Sequence, residues 1–150
     1  MFDRQHSRRD LFALAAGALA AVAAPAVAGV AAADPAEAAG GRATRAMRVA
    51  LNQVGKPYRR NASGPGAFDC SGLITYAYRA AGVGLPHSVS GIRRSGRAVP
   101  LSKAQPGDVV GRPGHAGIYL GGGRMVHAPR TGERVKVSST GRMRWAVRIA

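Results

Sequence analysis

Hydrophobic residues recur at helical spacing in the middle of the chain and at strand spacing in its last third. The helical spacing predicts one helix between Thr44 and Gly55 and a second that begins at Cys70 and stops at Gly82. The apolar stripes of these helices consist of Met47, Ala50, Leu51 and Val54 and of Leu73, Ile74, Ala77 and Ala81. Asp69 suits the N-cap of the second helix, because its carboxylate accepts a hydrogen bond from a backbone N–H of the first turn.

Strands are predicted after a short third helix. Ser88 suits the N-cap of that helix, which we expect over residues 88–94, and residues 96–106 are predicted to form a loop. Alternating apolar and polar positions then predict strands at residues 109–110, 115–120, 124–128, 133–138 and 145–150. Helices followed by strands are typical of an α+β domain, here with an antiparallel sheet packed on the helix that begins at Cys70.

Residues 1–33 have the pattern of a secretory signal peptide. A polar, basic start precedes an alanine-rich apolar stretch over residues 11–27, and two A-x-A cleavage sites end at Ala28 and Ala33. The paired arginines that follow Ser7 indicate a twin-arginine signal. An ordinary secretory signal and a retained membrane anchor are the alternatives, although the stretch is short and weakly apolar for an anchor.

The signal interpretation predicts an exported protein with one small domain. We expect a flexible lead at residues 34–43 and the domain at residues 44–150, which is long enough to bury a single core. The mature form is then expected to be a monomer without a membrane span.

Positive charge dominates the composition. The chain contains 22 Lys and Arg against seven Asp and Glu, a formal net charge of +15. Nucleic acid is the usual partner of such a charge. Because an exported protein rarely meets nucleic acid, we expect no such partner and predict anionic cell-wall polymers or phospholipid headgroups instead.

Cys70 is the only cysteine among the 150 residues, which excludes an intramolecular disulfide. In an exported protein a single cysteine indicates either intermolecular pairing or a working thiol, and a buried structural cysteine is the ordinary alternative. A thiol in the first turn of a helix faces unpaired backbone N–H groups and the positive end of the macrodipole. We therefore expect a lowered pKa for the Cys70 thiol.

Two histidines are predicted to lie on one face of a β-hairpin. If its loop consists of residues 121–123, Leu120 lies opposite Arg124. His115 and His127 then become diagonal neighbours on adjacent strands, with their backbones about 7–8 Å apart. Two such histidines together with a thiol at a helix start are the parts of a cysteine hydrolase.

In such a hydrolase Cys70 would be the nucleophile. His115 would take the thiol proton and return it to the leaving amine, while a third polar group would orient the base. Two alternatives remain at this point. Either histidine can be an ordinary strand residue, and Cys70 with His115 and His127 provides zinc-ligand types, although a fourth ligand is missing from that set.

Four motifs resemble those of the NlpC-type cell-wall cysteine peptidases, in the order found in that family. They are Asp69-Cys70-Ser71-Gly72-Leu73 followed by Tyr76, Pro106-Gly107-Asp108-Val109-Val110, His115-Ala116-Gly117-Ile118-Tyr119, and Met125-Val126-His127-Ala128-Pro129. The resemblance runs from about Arg45 to Ile149 and implies a papain-like α+β fold that needs no cofactor or metal. It also implies hydrolysis of peptidoglycan stem peptides, commonly between D-glutamate and a diamino acid.

The resemblance also implies roles for individual residues. Cys70 corresponds to the nucleophile, His115 to the base and His127 to the residue that orients the base. The tyrosine of Gly55-Lys56-Pro57-Tyr58 matches one that lines the active site in the family. The residues expected to line the substrate or oxyanion site are Tyr58, Asp69, Ser71 and Ser88.

The chain differs from the usual family pattern after Tyr58, after Pro86 and before His115, all around the substrate groove. His87 stands where the family usually has an arginine, and we expect it at the groove edge rather than as a catalyst. These differences leave the peptide specificity open. They also leave two rival functions, a wall-binding module without turnover and an amidase or acyltransferase that acts on another amide or ester.

Overall fold

Helices precede the sheet along the chain, as the sequence pattern predicts. The computed structural model describes residues 35–150, and this part contains the α-helices α1 (Pro35–Leu51), α2 (Cys70–Ala80) and α3 (Val89–Arg94). The signal peptide and cleavage sites predicted in residues 1–33 lie outside the described residues. Within the described part, no helix is long and apolar enough to cross a bilayer.

Helix α1 starts earlier than predicted. We expected a flexible lead at residues 34–43 and a helix from Thr44, whereas the helix already begins at Pro35. Proline is favoured at the first helical position and alanine is the strongest helix former, so this composition extends the helix into the expected lead. The helix also ends at Leu51, which leaves Val54 outside its apolar stripe and 47% exposed.

Helix α2 is buried along most of its length, and its predicted start and stop are confirmed. The side chains without solvent exposure are Leu73, Ile74, Ala77 and Tyr78. Asp69 has an extended backbone, and its carboxylate accepts a hydrogen bond from the Gly72 N–H at 2.6 Å, which makes it the N-cap. After Ala80, Gly82 adopts a φ of +87°, a conformation that ends the helix and that glycine tolerates.

The sheet within the described residues has six strands, and all neighbouring strands are antiparallel. They are β1 (Arg97–Val99), β2 (Val109–Arg112), β3 (His115–Gly121), β4 (Arg124–His127), β5 (Lys136–Ser139) and β6 (Trp145–Arg148). Their spatial order is β1-β6-β2-β3-β4-β5, so that β6 returns to lie between β1 and β2. The predicted α+β class with an antiparallel sheet is confirmed.

Strand β1 occupies part of the segment that was predicted as a loop. Residues 96–106 contain this strand and a short 3-10 helix (Leu101–Lys103). The strand escaped prediction because only Val99 of its three residues is buried, so it shows no alternation. It forms because it pairs with β6, which is distant in the sequence, for example through Ala98 and Val147. A local sequence pattern cannot predict such a pairing.

The two faces of the sheet bury different clusters of apolar side chains. One face packs on α2 through Val109, Ala116, Ile118, Val126 and Val147. The other face carries a smaller cluster of Val99, Val110, Met125, Met143 and Ala146. Because successive strand residues point to opposite faces, His115 lies on the second face together with Gly117 and Tyr119.

The β3–β4 hairpin has the predicted register in its strands but a different turn. Ile118 pairs with Val126, as expected, but Arg124 pairs with Gly121 instead of Leu120 because the register shifts between residues 119 and 121. Gly122 and Gly123 have φ values of +61° and +75°. Two residues with positive φ form a two-residue turn whose twist matches that of the flanking strands. The register shift, a β-bulge, leaves Leu120 without a partner in β4.

Asp108 joins three parts of the fold through a buried carboxylate. Both of its oxygens accept hydrogen bonds from the Arg148 guanidinium on β6, at 3.0 and 2.9 Å, and one also accepts from the Gln105 N–H. The preceding carbonyl, that of Gly107, accepts a hydrogen bond from the Tyr78 hydroxyl of α2 at 2.5 Å. The Pro106-Gly107-Asp108 motif therefore connects the start of β2 to β6 and to the cysteine helix.

We predict that Asp108→Ala lowers the free energy of unfolding by about 3–5 kcal/mol, because it leaves Arg148 without its buried partner. Asp108→Asn should cost less, since it keeps an acceptor for the Gln105 N–H. Urea unfolding followed by circular dichroism measures both changes. Glu133→Gln, which removes a partly exposed carboxylate that pairs only with the exposed side chains of Arg130 and Lys136, is the control and should change little; an equally small effect of Asp108→Ala would contradict the prediction.

Candidate active site

Cys70 is the first residue of α2, and the loop that leads to it is held by backbone pairing. Tyr58 and Phe68 form a parallel β-bridge, and the Phe68 side chain is completely buried. Gly72 lies so close to this loop that a Cβ atom there would be 1.9 Å from the Ala62 carbonyl oxygen. The glycine of the cysteine motif thus lets the loop and the helix start approach each other.

The Asp69 carboxylate is the centre of a hydrogen-bond network beside the cysteine. One oxygen accepts from the Gly72 N–H and lies 3.3 Å from the Ser71 hydroxyl, and the other accepts from the Asn61 N–H at 2.9 Å. The first oxygen also lies 2.8 Å from Nε2 of His87. This carboxylate therefore fixes the helix start, the preceding loop and His87 relative to one another.

His87 contacts the residue before Cys70, which the sequence did not predict. We expected it at the groove edge, and its side chain is indeed one-third exposed, at 33%. It nevertheless binds the residue directly before Cys70, through Asp69. A capping aspartate next to the cysteine is visible in the sequence, but its contact with a histidine from another loop is not.

His115 and His127 come together as the hairpin register predicts. Nε2 of His115 lies 2.7 Å from Nδ1 of His127, and the two rings meet edge to face with centroids 5.0 Å apart. Both residues are 7% exposed. Gly117 lies beneath the pair, where a Cβ atom would approach the His127 Cβ to 3.1 Å, so a larger residue would disturb the ring that contacts His115.

Ser138 is the part of the site that the sequence analysis missed. Its hydroxyl oxygen lies 2.9 Å from Nε2 of His127. Met125 pairs with Ser138 in the β4–β5 ladder, which makes Ser138 a diagonal neighbour of His127 on the same face. The alternation of β5 indicated on which face Ser138 lies. The register between β4 and β5 could not be predicted, because a long loop joins the two strands.

The thiol of Cys70 lies against the start of β3. The backbone N–H of Ala116, the residue after His115, is one of three N–H groups that stabilise its thiolate form; the others belong to Ser71 and to Cys70 itself. The cysteine and the histidine pair are therefore brought to the same end of β3 by the packing of α2 on the sheet.

The other predicted site residues have different surroundings. Tyr58 is half-buried. Burial raises the pKa of its hydroxyl most, and the negative charges of Cys70 and Asp69 raise it further, so Tyr58 lies near Cys70. The hydroxyl of Ser71 is buried next to Asp69. Ser88 is exposed and caps α3, since its hydroxyl accepts a hydrogen bond from the Gly91 N–H at 3.0 Å.

The described residues contain no group of three or more His, Cys, Asp or Glu side chains with the geometry of a metal site. The facing nitrogens of His115 and His127 are hydrogen-bonded to each other. In this arrangement a proton can pass between the two rings.

Comparison with known proteins agrees with this geometry. The profile of the NlpC/P60 family matches residues 55–150, which is more than half of the chain and includes both α2 and the complete sheet. The chain belongs to the NlpC/P60 family.

Relatives of this NlpC/P60 domain include longer proteins. The probable endopeptidase Rv2190c of Mycobacterium tuberculosis is 46% identical over 104 residues, which cover 67% of this chain and 27% of the relative. The murein DD-endopeptidase MepH of Escherichia coli is 33% identical over 111 residues, or 67% of this chain and 41% of the relative. The chain therefore spans less than half the length of these two curated relatives.

Solved structures share the fold of this NlpC/P60 domain. The peptidoglycan hydrolase RipB of Mycobacterium tuberculosis matches with a TM-score of 0.70 at 30% identity, over 77% of this chain and 68% of that one. The NlpC/p60 domain of the peptidoglycan hydrolase SagA matches with a TM-score of 0.65 at 34% identity, over 70% of this chain and 97% of that one.

The thiol of this NlpC/P60 domain is held in its protonated form. Burial raises the pKa of Cys70 above its ordinary value, and the negative charge of Asp69 raises it further. The three backbone N–H groups around the sulfur lower the pKa but offset only part of this effect. The expected lowering of the Cys70 pKa is therefore wrong, because the loss of solvent outweighs the favourable helix start.

Both histidines are held in their neutral form. Burial, together with the positive charge of Arg112 on β2, lowers the pKa of His115. Burial followed by the charge of His115 lowers the pKa of His127 to about 4. At pH 7 the site thus contains a thiol and two uncharged imidazoles, which is a general-base arrangement rather than a preformed ion pair.

We predict that Asp69→Asn lowers the pKa of Cys70, because it removes the charge that opposes the thiolate while an amide oxygen remains to cap α2. The pH dependence of alkylation by iodoacetamide measures this shift, and alkylation near pH 7 should become severalfold faster. Glu133→Gln removes a carboxylate elsewhere and serves as the control. An unchanged alkylation profile in Asp69→Asn would show that this charge does not act on the thiol.

We predict that the free energy of unfolding falls as the pH drops from about 6.5 towards 4. The unfolded chain binds protons at its histidines below pH about 6.5, whereas folded His127, with a pKa of about 4, does not. The stabilisation is therefore complete above the unfolded pKa and is lost as the pH approaches the folded one. Denaturant titrations at several pH values should give a shallower decline for His127→Gln, and an identical slope would contradict this explanation.

Proposed function

We propose that this NlpC/P60 domain is an exported cysteine endopeptidase that hydrolyses peptidoglycan stem peptides, between D-glutamate and the diamino acid. Two observations support the proposal: the Cys70 thiol lies against the backbone N–H of Ala116, the residue after His115, and His115, His127 and Ser138 are hydrogen-bonded in line. Two relatives named endopeptidases and two similar structures named peptidoglycan hydrolases support the same substrate class.

We assign Nδ1 of His115 as the base, because Nε2 of this imidazole is occupied by His127. Nε2 of His115 is bonded to Nδ1 of His127, and Nε2 of His127 is bonded to the Ser138 hydroxyl. With a proton on each Nε2, His115 donates to His127 and His127 donates to Ser138. Nδ1 of His115 is then unprotonated and available to accept the proton of the Cys70 thiol.

The first half of the reaction forms a thioester. The Cys70 sulfur attacks the carbonyl carbon of the scissile amide while its proton moves to Nδ1 of His115. The Cys70 N–H and the Tyr58 hydroxyl are the donors we assign to the oxyanion that develops. As the intermediate collapses, the C–N bond breaks and His115 returns the proton to the leaving amine.

The second half restores the enzyme. Neutral His115 removes a proton from water, the hydroxide attacks the thioester carbonyl, and the C–S bond breaks. The proton on His115 then returns to the sulfur, so the net reaction is the addition of one water across the amide. Because burial lowers the pKa of His115, the base should stay unprotonated and active into mildly acidic solution.

Export and wall association are supported by the sequence. The twin-arginine pattern before residue 33 is typical of export, and the net charge of +15 suits anionic polymers of a cell wall. We propose that wall polymers concentrate the protein near its substrate and that this association weakens as salt increases.

We predict that the protein cleaves stem peptides and that Cys70→Ala abolishes cleavage without unfolding the domain. Mass spectrometry of muropeptides and purified stem peptides after incubation identifies the bond. Products that end in D-glutamate support the proposed bond. Products from cleavage of the D,D cross-link would instead assign the activity for which MepH is named.

The outcomes separate the proposal from its rivals. Turnover by well-folded Cys70→Ala would exclude a cysteine mechanism. A folded, reduced wild-type protein that cleaves no stem peptide but sediments with cell walls would support the wall-binding module. Cleavage of other amides or esters alone would support the amidase or acyltransferase.

A further inference from the structure

A cavity of about 550 Å³ opens beside the two histidines on the face of the sheet opposite α2. Its lining includes both imidazoles and four basic side chains, which are Arg112, Arg130, Lys136 and Arg142. Cys70 is not part of that lining. The volume is within the range of pockets that bind small ligands, about 300–1,000 Å³.

The cavity has more positive charge than its own residues neutralise. Glu133 is the one carboxylate in its lining, and it already pairs with Arg130 and with Lys136. Among the described residues, Arg112 and Arg142 form no ion pair at all. The positive charges of these two guanidinium groups therefore favour the binding of an anion in the cavity.

The protein leaves part of the Arg112 guanidinium without a hydrogen bond. Its Nε is buried and, alone among the buried side-chain nitrogens and oxygens of the described residues, has no hydrogen-bond partner. Because Nε itself is closed to solvent, an anion in the cavity would bind the terminal nitrogens of Arg112. A carboxylate is the anion that a guanidinium binds through two parallel hydrogen bonds.

The place of the cavity indicates which part of a substrate reaches it. In the proposed reaction His115 gives its proton to the leaving amine, so the amine side of the scissile bond lies next to this imidazole. Arg112 pairs directly with His115 across β2 and β3. A group attached to the residue on the amine side is therefore the part of the peptide nearest to the cavity.

We propose that Arg112 and Arg142 bind the side-chain carboxylate of the diamino acid on the amine side of the scissile bond. This assignment rests on the proposed function and deepens it, since it specifies the wall chemistry. The site selects a diamino acid that carries a free second carboxylate, such as diaminopimelate. It disfavours the amidated form and lysine, which lacks the carboxylate.

The test compares three stem peptides that differ only at this residue: free diaminopimelate, its side-chain amide, and lysine. The readout is the ratio of kcat/KM for the free acid to that for the amide, measured at pH 8, where His115 is neutral. Wild type should prefer the acid, and Arg112→Gln or Arg142→Gln should each lower the ratio about tenfold, mainly through KM.

Two controls distinguish the pocket from a general loss of charge. Arg124→Gln removes an exposed arginine that does not line the cavity, and its ratio should equal that of wild type. Arg142→Lys keeps the charge and should retain most of the preference. Turnover with one ratio in wild type, Arg112→Gln and Arg142→Gln would overturn the assignment while leaving the endopeptidase intact.

Absence of turnover would contradict the proposed function. Binding of the carboxylate in the cavity can then still be measured without turnover. Calorimetry on the full-length Cys70→Ala protein compares the free-acid peptide with its amide, with and without Arg142→Gln. Tighter binding of the acid that disappears with Arg142→Gln supports the site. Equal binding of the two peptides, together with tight binding of inorganic phosphate, would assign the cavity to a phosphate polymer and refute the carboxylate.

Discussion

The buried carboxylate of Asp69 is the constraint on which the arrangement of this site depends. It caps the helix that begins with Cys70, holds the preceding loop through the Asn61 N–H, and binds His87. The same negative charge opposes the thiolate beside it. One group thus positions the Cys70 thiol and keeps it protonated at rest, so the proposed attack requires a neutral base that takes the proton.

Three adjacent strands of the sheet supply the proposed base and the residues bonded to it. His115 from β3, His127 from β4 and Ser138 from β5 form one hydrogen-bonded line, and burial keeps both imidazoles uncharged. Ordered strands are well suited to this role because the ladder fixes each side chain to within the tolerance of a hydrogen bond. Two arginines that form no ion pair among the described residues, Arg112 and Arg142, lie in the cavity beside this line.

Several features of the fold followed from short-range rules alone. The start of α2 was predictable because an N-cap acts within four residues, and the stop at Gly82 reflects a local backbone conformation. The meeting of His115 with His127 was predictable because strand side chains alternate with a period of two and a short glycine loop limits the register. The turn itself differed by one residue, but the shift near Leu120 left the strand pairing at the histidines unchanged.

The sequence by itself therefore determined the α+β class, the cysteine at a helix start and the histidine pair. Only the tertiary structure placed Ser138 on His127 and His87 on Asp69, because these contacts join segments whose relative positions no local pattern encodes. It also reversed the expected direction of the Cys70 pKa and left Nε of Arg112 without a partner. Burial decided both, and burial is a property of the packed chain, since it depends on how many distant atoms replace water around a group.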